Sequence, residues 1–145
     1  MKAMLKQVDG LSLIGKAGSN HWVAMDGAPE NGGSAAGATP MELVLLGLGG
    51  CTSMDVISIL EKMRLPLDDC ECHMEAERAV DHPKVFTKIK IKFVLFGKGI
   101  SKEAVERAIG LSESKYCSVL AMLSKTAEIS TEYEIREHKS ARIGD

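Results

Sequence analysis

The sequence predicts an α+β protein in which antiparallel sheets surround one long, buried central helix. A helix is expected over residues 40–64, and its central part, 43–60, is almost continuously apolar or small, so that the helix would have no wide polar face. The stretches on either side alternate apolar and polar residues, the pattern of half-buried strands. A helix that is apolar all round is normally buried. We therefore expect the 145 residues to form a single domain around this helix.

The N-terminal part, residues 1–26, predicts three short antiparallel strands. Alternating segments at 1–8, 11–16 and 21–25 are separated by turn residues, and Asp9-Gly10 is a hairpin signal. Residues 27–39 are rich in Gly, Ala, Ser and Asn and lack the large apolar side chains needed to pack alone. We expect a mobile connector there, in preference to a lid over a site.

The central helix is predicted for residues 40–64. Thr39 is a suitable N-cap, Pro40 is tolerated in the first turn, and Lys62 and Arg64 suit the negative end of the helix dipole. The segment is interrupted by charged residues, so we expect its surroundings to be protein and not lipid.

Three glycines precede a cysteine in the middle of this helix. Gly47, Gly49 and Gly50 each cost about 1 kcal/mol relative to alanine in a helix interior. They indicate that another backbone, a partner subunit or a ligand comes close to Cys51. Asp55 is the only charge between Leu43 and Leu60 and shares the helix face of Cys51.

Residues 68–138 predict a strand, a strand, a helix, a helix and a strand. In 68–80 the cysteines and glutamates alternate, and in 85–96 isoleucines alternate with lysines, so an antiparallel pair would place glutamates near lysines. A helix capped by Ser101 is expected to run through Ile109, and a second helix, capped by Ser112, is expected from about Glu113 to Lys125, with Cys117 in its first two turns. A last strand follows at 128–137, and residues 139–145 form a polar tail.

The composition excludes several classes of function. The formal net charge is only −2 and there is no basic stripe, which argues against nucleic acid or an acidic membrane as the main partner. The first residues carry no continuous apolar segment typical of a secretory signal, so we expect a cytoplasmic protein. For such a protein, the four cysteines are expected to be reduced or catalytic rather than structural disulfides.

The positions of the cysteines leave two interpretations open. As residues of two helices, Cys51 and Cys117 fit either small core residues or a redox pair. A place near a helix N-terminus would lower the pKa of Cys117 from the usual value of about 8.5. No metal site is expected at Cys70, Cys72 and His73, because alternation sends His73 to the opposite face of the strand.

Three motifs carry a resemblance to a known family. They are Thr39-Pro40-Met41-Glu42-Leu43, Gly49-Gly50-Cys51-Thr52 and Ser114-Lys115-Tyr116-Cys117-Ser118-Val119. With these motifs, and in the order of its strands and helices, the chain resembles the OsmC/Ohr family of small thiol peroxidases, in particular its YhfA-like branch. The resemblance covers essentially the whole chain.

The resemblance implies an OsmC-like fold in which two chains intertwine as a homodimer with the long helix buried at its centre. It implies that Cys51 is the peroxidatic thiol and Cys117 the resolving thiol. Together they would reduce organic hydroperoxides in oxidative-stress defence, with an external dithiol reductant and no cofactor or metal. Met41 stands where the family's peroxidases carry Glu, and no Arg precedes Arg64, so we expect slow turnover. The alternative is a dimeric protein that binds an apolar small molecule, or senses redox state, without catalysis.

Overall fold

A computed structural model describes residues 1–137 of the chain; the predicted tail at 139–145 lies outside the described residues. The residues group into two compact units. The first is Met1–Leu46 and the second begins at Gly47, so the boundary falls inside the long helix. That the chain is one domain stays a prediction.

The first unit contains a three-stranded antiparallel sheet. Its strands are β1 (Ala3–Asp9), β2 (Ser12–Ala17) and β3 (Val23–Met25), in the order β1-β2-β3. The hairpin between β1 and β2 turns at residues 10–11, as the Asp-Gly signal predicts. The prediction of three N-terminal strands is confirmed.

A buried carboxylate organises the glycine-rich loop that follows β3. Asp26 is only 2% exposed, and one of its oxygens accepts hydrogen bonds from the hydroxyls of Ser12 (2.9 Å) and Ser34 (2.6 Å) and from the backbone N–H groups of Ser34 (3.1 Å) and Ala36 (3.0 Å). Its other oxygen accepts from the N–H of Gly27 at 2.7 Å. These donors hold the pKa of Asp26 well below its usual range, and the Ser34 hydroxyl makes the largest contribution. The mobility of this loop stays a prediction, but its polar centre was not foreseen.

The long helix, α1, runs from Pro40 to Lys62 and ends two residues before the predicted limit. Thr39 caps it as predicted and forms a reciprocal pair with Glu42. The Thr39 backbone N–H and hydroxyl donate to the Glu42 carboxylate at 2.6 and 2.9 Å, and the Glu42 N–H donates to the Thr39 hydroxyl at 3.3 Å. The Thr39 backbone N–H lowers the pKa of Glu42. The Glu42 carboxylate is therefore used in capping the N-terminus of α1.

Only one stripe of α1 is buried within the single chain. It consists of Leu48, Gly49, Thr52, Val56 and Leu60. Three large apolar side chains elsewhere on the helix are exposed, namely Val44, Leu46 and Met54. The sequence predicts a helix that is buried on all sides, and within this one chain one side of α1 is buried.

The second unit contains a three-stranded mixed sheet. Its strands are β4 (Asp69–Arg78), β5 (Phe86–Phe96) and β6 (Glu128–Arg136), in the order β4-β5-β6. β4 and β5 pair antiparallel, as predicted, whereas β6 pairs parallel with β5. The expectation of purely antiparallel sheets is corrected here. The long helical connection between β5 and β6 supplies the crossover that a parallel neighbour needs.

The two faces of this sheet differ as the sequence predicts. The apolar residues of β5 are buried, the most deeply buried being Ile89, Ile91, Phe93, Leu95 and Phe96. On the polar face, Lys88 lies 4.0 Å from Glu77 and Lys92 lies 3.7 Å from Glu134. Such exposed pairs contribute little, typically about 0–1 kcal/mol. The cross-strand pairing therefore explains the charged face without a ligand.

The helical connection departs from the prediction in its second half. α2 (Lys102–Leu111) begins with the predicted cap, since the Ser101 hydroxyl accepts from the N–H of Ala104 at 3.2 Å. The predicted helix 113–125 is wrong. A π-helical turn, Ser112–Tyr116, follows α2, and α3 (Ser118–Leu123) is short.

Cys117 and Ser112 explain why a single helix does not form here. Cys117 lies between the π-helical turn and α3, and Ser112 is the predicted N-cap. Cys117 has extended backbone angles and forms the N-cap of α3, so it does not lie within a helix. Its N–H donates to the carbonyl of Ser112, five residues back, at 2.9 Å. The Ser112 hydroxyl, expected to cap a helix, donates to Asp55 instead.

The role of Asp26 predicts a pH-dependent loss of stability. Because its folded pKa is depressed, the stabilisation is complete above the unfolded pKa of about 3.9 and is lost as the pH falls through the folded pKa. Asp26→Asn should therefore lower the denaturant midpoint at pH 7, and the gap from wild type should shrink below about pH 4. Chemical denaturation followed by circular dichroism at several pH values measures this. Asp9→Asn, an exposed change in the same unit, serves as control; equal effects of the two variants would contradict the assignment.

Candidate active site

Two predicted site residues and one further carboxylate meet in the second unit. Cys51 and Asp55 lie four residues apart on α1, and Cys117 comes from the junction between the π-helical turn and α3. Their Sγ atoms and a carboxylate oxygen all lie within 4.8 Å of one another. The structure thus brings together the two cysteines that the sequence singled out. The sequence also placed Asp55 on the face of Cys51 but gave it no role.

Ser112 connects the two sides of this cluster. Its hydroxyl donates to the Asp55 carboxylate at 3.0 Å, and its carbonyl accepts the N–H of Cys117 at 2.9 Å. Ser112 itself is 1% exposed. One buried residue thereby fixes both the carboxylate on α1 and the backbone that carries the second thiol. Sequence reasoning missed this role, because nothing in a serine after a helix indicates a partner 57 positions away.

The two thiols have different surroundings. Cys51 is half-buried, whereas Cys117 is only 3% exposed. Burial is the main cause that raises the pKa of Cys117, to about 11, and the neighbouring Cys51 raises it further. The N–H of Leu120, which donates to Cys117 Sγ at 3.4 Å, acts in the opposite direction. The expectation that the helix dipole would leave this thiol with a lowered pKa is therefore wrong.

The other two cysteines lie on β4 and outside the cluster. Cys70 and Cys72 are half-buried, and burial raises the pKa of both, that of Cys70 to about 11. His73 lies exposed beside Glu71, with 3.1 Å between Nε2 and a carboxylate oxygen. Within residues 1–137, the only group of three or more His, Cys, Asp or Glu ligand atoms close enough to share a metal ion contains neither Cys70 nor Cys72.

The glycines before Cys51 differ in what they meet. A Cβ at Gly49 would lie 2.8 Å from Met74 Sδ and 3.7 Å from Cys72 Sγ, so the bare backbone lets β4 approach the helix. Among residues 1–137, and apart from the adjacent backbone of the helix itself, a Cβ at Gly47 or Gly50 would meet no atom within 4 Å. The predicted close approach is therefore made at Gly49, and the other two positions are open.

A groove of about 300 Å³ extends from Asp55 along α1. Its wall includes Ile59, Met63 and Leu111, and it also carries two cations, Lys62 and Arg107. Its volume is at the lower end of the range for small-molecule pockets. The groove therefore combines apolar walls with positive charge next to the cluster.

Comparison with known proteins places this chain in a family. The family model described as OsmC-like protein matches residues 32–132, a span that contains both thiols of the cluster. The chain belongs to the OsmC-like family. The OsmC-like chain is 43% identical to protein YhfA of Escherichia coli strain K12 over 135 residues, which are 93% of this chain and 98% of that protein. The resemblance inferred from the motifs is confirmed.

Solved structures confirm the fold class. A hypothetical protein from Aquifex aeolicus VF5 is 30% identical, with a TM-score of 0.84 over 95% of this chain and 97% of that one. An organic hydroperoxide resistance protein from Elizabethkingia anophelis is 12% identical, with a TM-score of 0.66 over 94% of each chain. At that identity the likeness is one of fold.

Family membership also clarifies the nature of α1. By length and composition alone, with a mean hydropathy of 1.9, α1 could cross a membrane. In the OsmC-like fold it is the core helix, and in this chain its buried stripe contains Leu48, Val56 and Leu60. The core helix of a soluble protein passes the same test of length and composition.

The burial of Cys117 predicts its reactivity. In a variant that keeps only this cysteine, through Cys51→Ser, Cys70→Ser and Cys72→Ser, burial still opposes the thiolate. Alkylation by iodoacetamide should therefore be slow at neutral pH and should keep rising with pH beyond about 8.5, where the rate levels off for a free cysteine. Rates measured by mass spectrometry on folded and denatured protein give the comparison. Equal pH midpoints of the alkylation rate in the folded and the denatured protein would contradict the effect of burial.

Proposed function

We propose that this protein is a thiol-dependent peroxidase that reduces organic hydroperoxides through Cys51 and Cys117. The observation that carries the proposal is the approach of the two sulfurs to within 4.8 Å on an OsmC-like fold. A disulfide needs sulfurs about 2.05 Å apart. Side-chain rotation at the start of the short helix α3 would bring Cys117 within that reach.

Accessibility favours distinct roles for the two thiols. A peroxide reaches the half-buried Cys51 before it reaches Cys117, which is shielded from solvent. The raised pKa of Cys117 keeps that thiol protonated at neutral pH, and thus less nucleophilic than a thiolate. Cys51 is accordingly the peroxidatic thiol and Cys117 the resolving one.

The reaction then has two balanced steps. The sulfur of Cys51 attacks the terminal oxygen of the hydroperoxide, the O–O bond breaks, and the products are an alcohol and a sulfenic acid on Cys51. The sulfur of Cys117 attacks the Cys51 sulfur, releasing water and forming the disulfide. An external dithiol in the cytoplasm supplies the two electrons that restore both thiols.

Weak activation of the thiol is part of the proposal. Glu42, the acidic residue next to Met41, is bound to the helix cap. Among residues 1–137 no ion pair joins Asp55 to a lysine or arginine. A fixed positive charge beside Cys51 would favour its thiolate. Because no such charge is paired with Asp55 among residues 1–137, we expect slow turnover.

A second candidate function is the binding of a small apolar molecule without turnover. The groove beside Asp55 favours it, because apolar walls and the cations Lys62 and Arg107 suit an apolar chain with an acidic group. A binding protein of this kind would retain its affinity for a fluorescent fatty acid in Cys51→Ser and lose it in Arg107→Ala. A peroxidase would lose its reaction with hydroperoxide in Cys51→Ser.

Oxidation of the reduced protein by one equivalent of cumene hydroperoxide tests the main proposal. We expect two thiols to be consumed and a disulfide between Cys51 and Cys117 to form, because the sulfurs are close. Cys117→Ser should stop at a sulfenic acid on Cys51, and Cys51→Ser should not react. Thiol counting and peptide mass spectrometry in the presence of a metal chelator measure these outcomes.

The strand cysteines provide the matched control for this titration. Cys70→Ser with Cys72→Ser should leave the disulfide and its rate unchanged, since neither thiol belongs to the cluster. If the wild-type thiols react no faster than free cysteine, the peroxidase proposal fails and the binding protein takes its place.

The uncovered side of α1 supports a homodimer as the functional form. Val44, Leu46 and Met54 are exposed on one helix, Met54 to 73%, and Gly47 and Gly50 leave the backbone open to close approach. A long apolar helix with one uncovered side is typical of a subunit interface, and identical chains most often pair with twofold symmetry. We therefore propose that a second copy covers α1.

This assembly is tested by solution mass at low micromolar concentration. We expect a dimer for the wild type and a shift to monomer for Met54→Glu, because a carboxylate buried in an apolar interface is strongly unfavourable. Val80→Glu changes an exposed apolar residue in the turn between β4 and β5 and should remain dimeric. Light scattering after size-exclusion chromatography measures the mass, and a wild-type monomer would remove the basis for a shared interface.

A further inference from the structure

We propose that the reduced site binds a divalent zinc ion through Cys51 Sγ, Cys117 Sγ and the carboxylate of Asp55. The three donor atoms lie within 4.8 Å of one another. Zinc would bind the same two sulfur atoms that the proposed peroxidase reaction uses, but the binding itself involves no reaction with a peroxide. Its regulatory consequence, described below, rests on the proposed function. The proposal departs from the sequence-based expectation that the protein has no metal site.

The donor set has the chemistry of a zinc site. Zinc is borderline soft and binds thiolates at about 2.3 Å and carboxylate oxygens at about 2.0–2.2 Å, usually with tetrahedral geometry. In such a tetrahedron the donors are roughly 3.5–3.8 Å apart, so donors that lie within 4.8 Å of one another have to approach by at most about 1.3 Å. Three protein ligands leave one position for water or another small ligand.

Two of the three ligands lie on the same face of one helix. Cys51 and Asp55 are one turn apart on the rigid helix α1, a spacing that places both side chains on the same face. Cys117 is the residue at which the backbone leaves the π-helical turn, with extended angles. The third ligand therefore comes from a junction between two short elements, where side-chain adjustment is easiest.

Groups behind the ligands already hold them in position. The buried Ser112 hydroxyl donates to Asp55, and the Ser112 carbonyl fixes the N–H of Cys117. The N–H of Leu120 donates to the Cys117 sulfur, a contact that stabilises a thiolate. Metal ligands typically have such hydrogen-bonded supports, which orient them and set their basicity. The cluster therefore has both ligands and supports.

The charge balance of the cluster also favours a cation. Asp55 is a carboxylate, and each thiol that ionises beside it adds negative charge in a partly buried place. No ion pair to Asp55 is found in the described part of the chain. A zinc ion would compensate all three groups at once.

Zinc binding and oxidation would exclude each other, because both use the same two sulfurs. Loading the site releases two thiol protons to solvent. With the zinc form, one hydroperoxide and two protons give the disulfide, one alcohol, one water and free zinc. Zinc would therefore protect the reduced pair, and a hydroperoxide would release it.

Competition with a chromophoric zinc chelator tests the proposal on the full-length, reduced protein. We expect one zinc per chain for the wild type and none for the same protein after oxidation to the Cys51–Cys117 disulfide. This comparison needs no substitution, so it does not depend on the folding of a variant. If the reduced wild type binds zinc no better than the oxidised form, the proposal is wrong.

Variants then locate the ligands. Cys51→Ser, Cys117→Ser and Asp55→Asn should each weaken binding more than Ser112→Ala, which removes only a support and should cost about 10–100-fold in affinity. The control Cys70→Ser with Cys72→Ser should keep full affinity; zinc lost in this control would overturn the assignment. Cobalt(II) in the wild type should show thiolate-to-metal charge-transfer absorption, which Cys51→Ser should reduce.

The outcome is independent of the peroxidase test. Hydroperoxide titration is carried out on metal-free protein with chelator present, so it can succeed where zinc binding fails. If both hold, adding one equivalent of zinc should slow the oxidation of wild type but not the sulfenic acid formation in Cys117→Ser, which lacks a zinc ligand. Equal oxidation rates with and without bound zinc would overturn the protective role.

Discussion

The candidate site depends on one buried residue, Ser112. Its hydroxyl binds the carboxylate of Asp55 and its carbonyl binds the N–H of Cys117, so it joins two segments that are far apart in sequence. Without these bonds the carboxylate would lack its donor and the π-helical turn would lack the hydrogen bond that closes it. A buried polar group deprived of its partner costs about 1–3 kcal/mol. The approach of Cys117 to Cys51 is therefore maintained by polar contacts.

The electrostatics of the cluster explain why the same three side chains suit two chemistries. Burial opposes the thiolate of Cys117, and the nearby Cys51 opposes it further. Either of two events removes that penalty. A disulfide converts both thiols to a neutral bond, and a divalent cation compensates both thiolates together with Asp55. A site that holds two thiol sulfurs and a carboxylate oxygen within 4.8 Å of one another is thus suited to change state.

Much of the fold could be predicted from local patterns. Alternation gave β4 and β5 with their buried and charged faces, and Pro40 with Thr39 gave the start of α1, because these features depend on residues close in sequence. The parallel pairing of β6 could not be read from its own alternation, since the direction of a strand depends on the connection before it. The polar centre at Asp26 was missed for a related reason: its donors come from a distant strand and from a loop without any periodic pattern.

In the site, sequence identified the two cysteines and the helix face of Asp55 but not what surrounds them. The open glycines show why the surroundings matter. Gly49 is covered by Met74, whereas Gly47 and Gly50 are not covered by any other element in the described part of the chain. A second copy that covers the exposed side of α1, as we propose, would come close to the helix backbone one residue from Cys51. Access of peroxide to Cys51, and any positive charge that activates it, would then depend on the partner. In that case the partner determines both whether α1 is covered and how reactive the Cys51 thiol is.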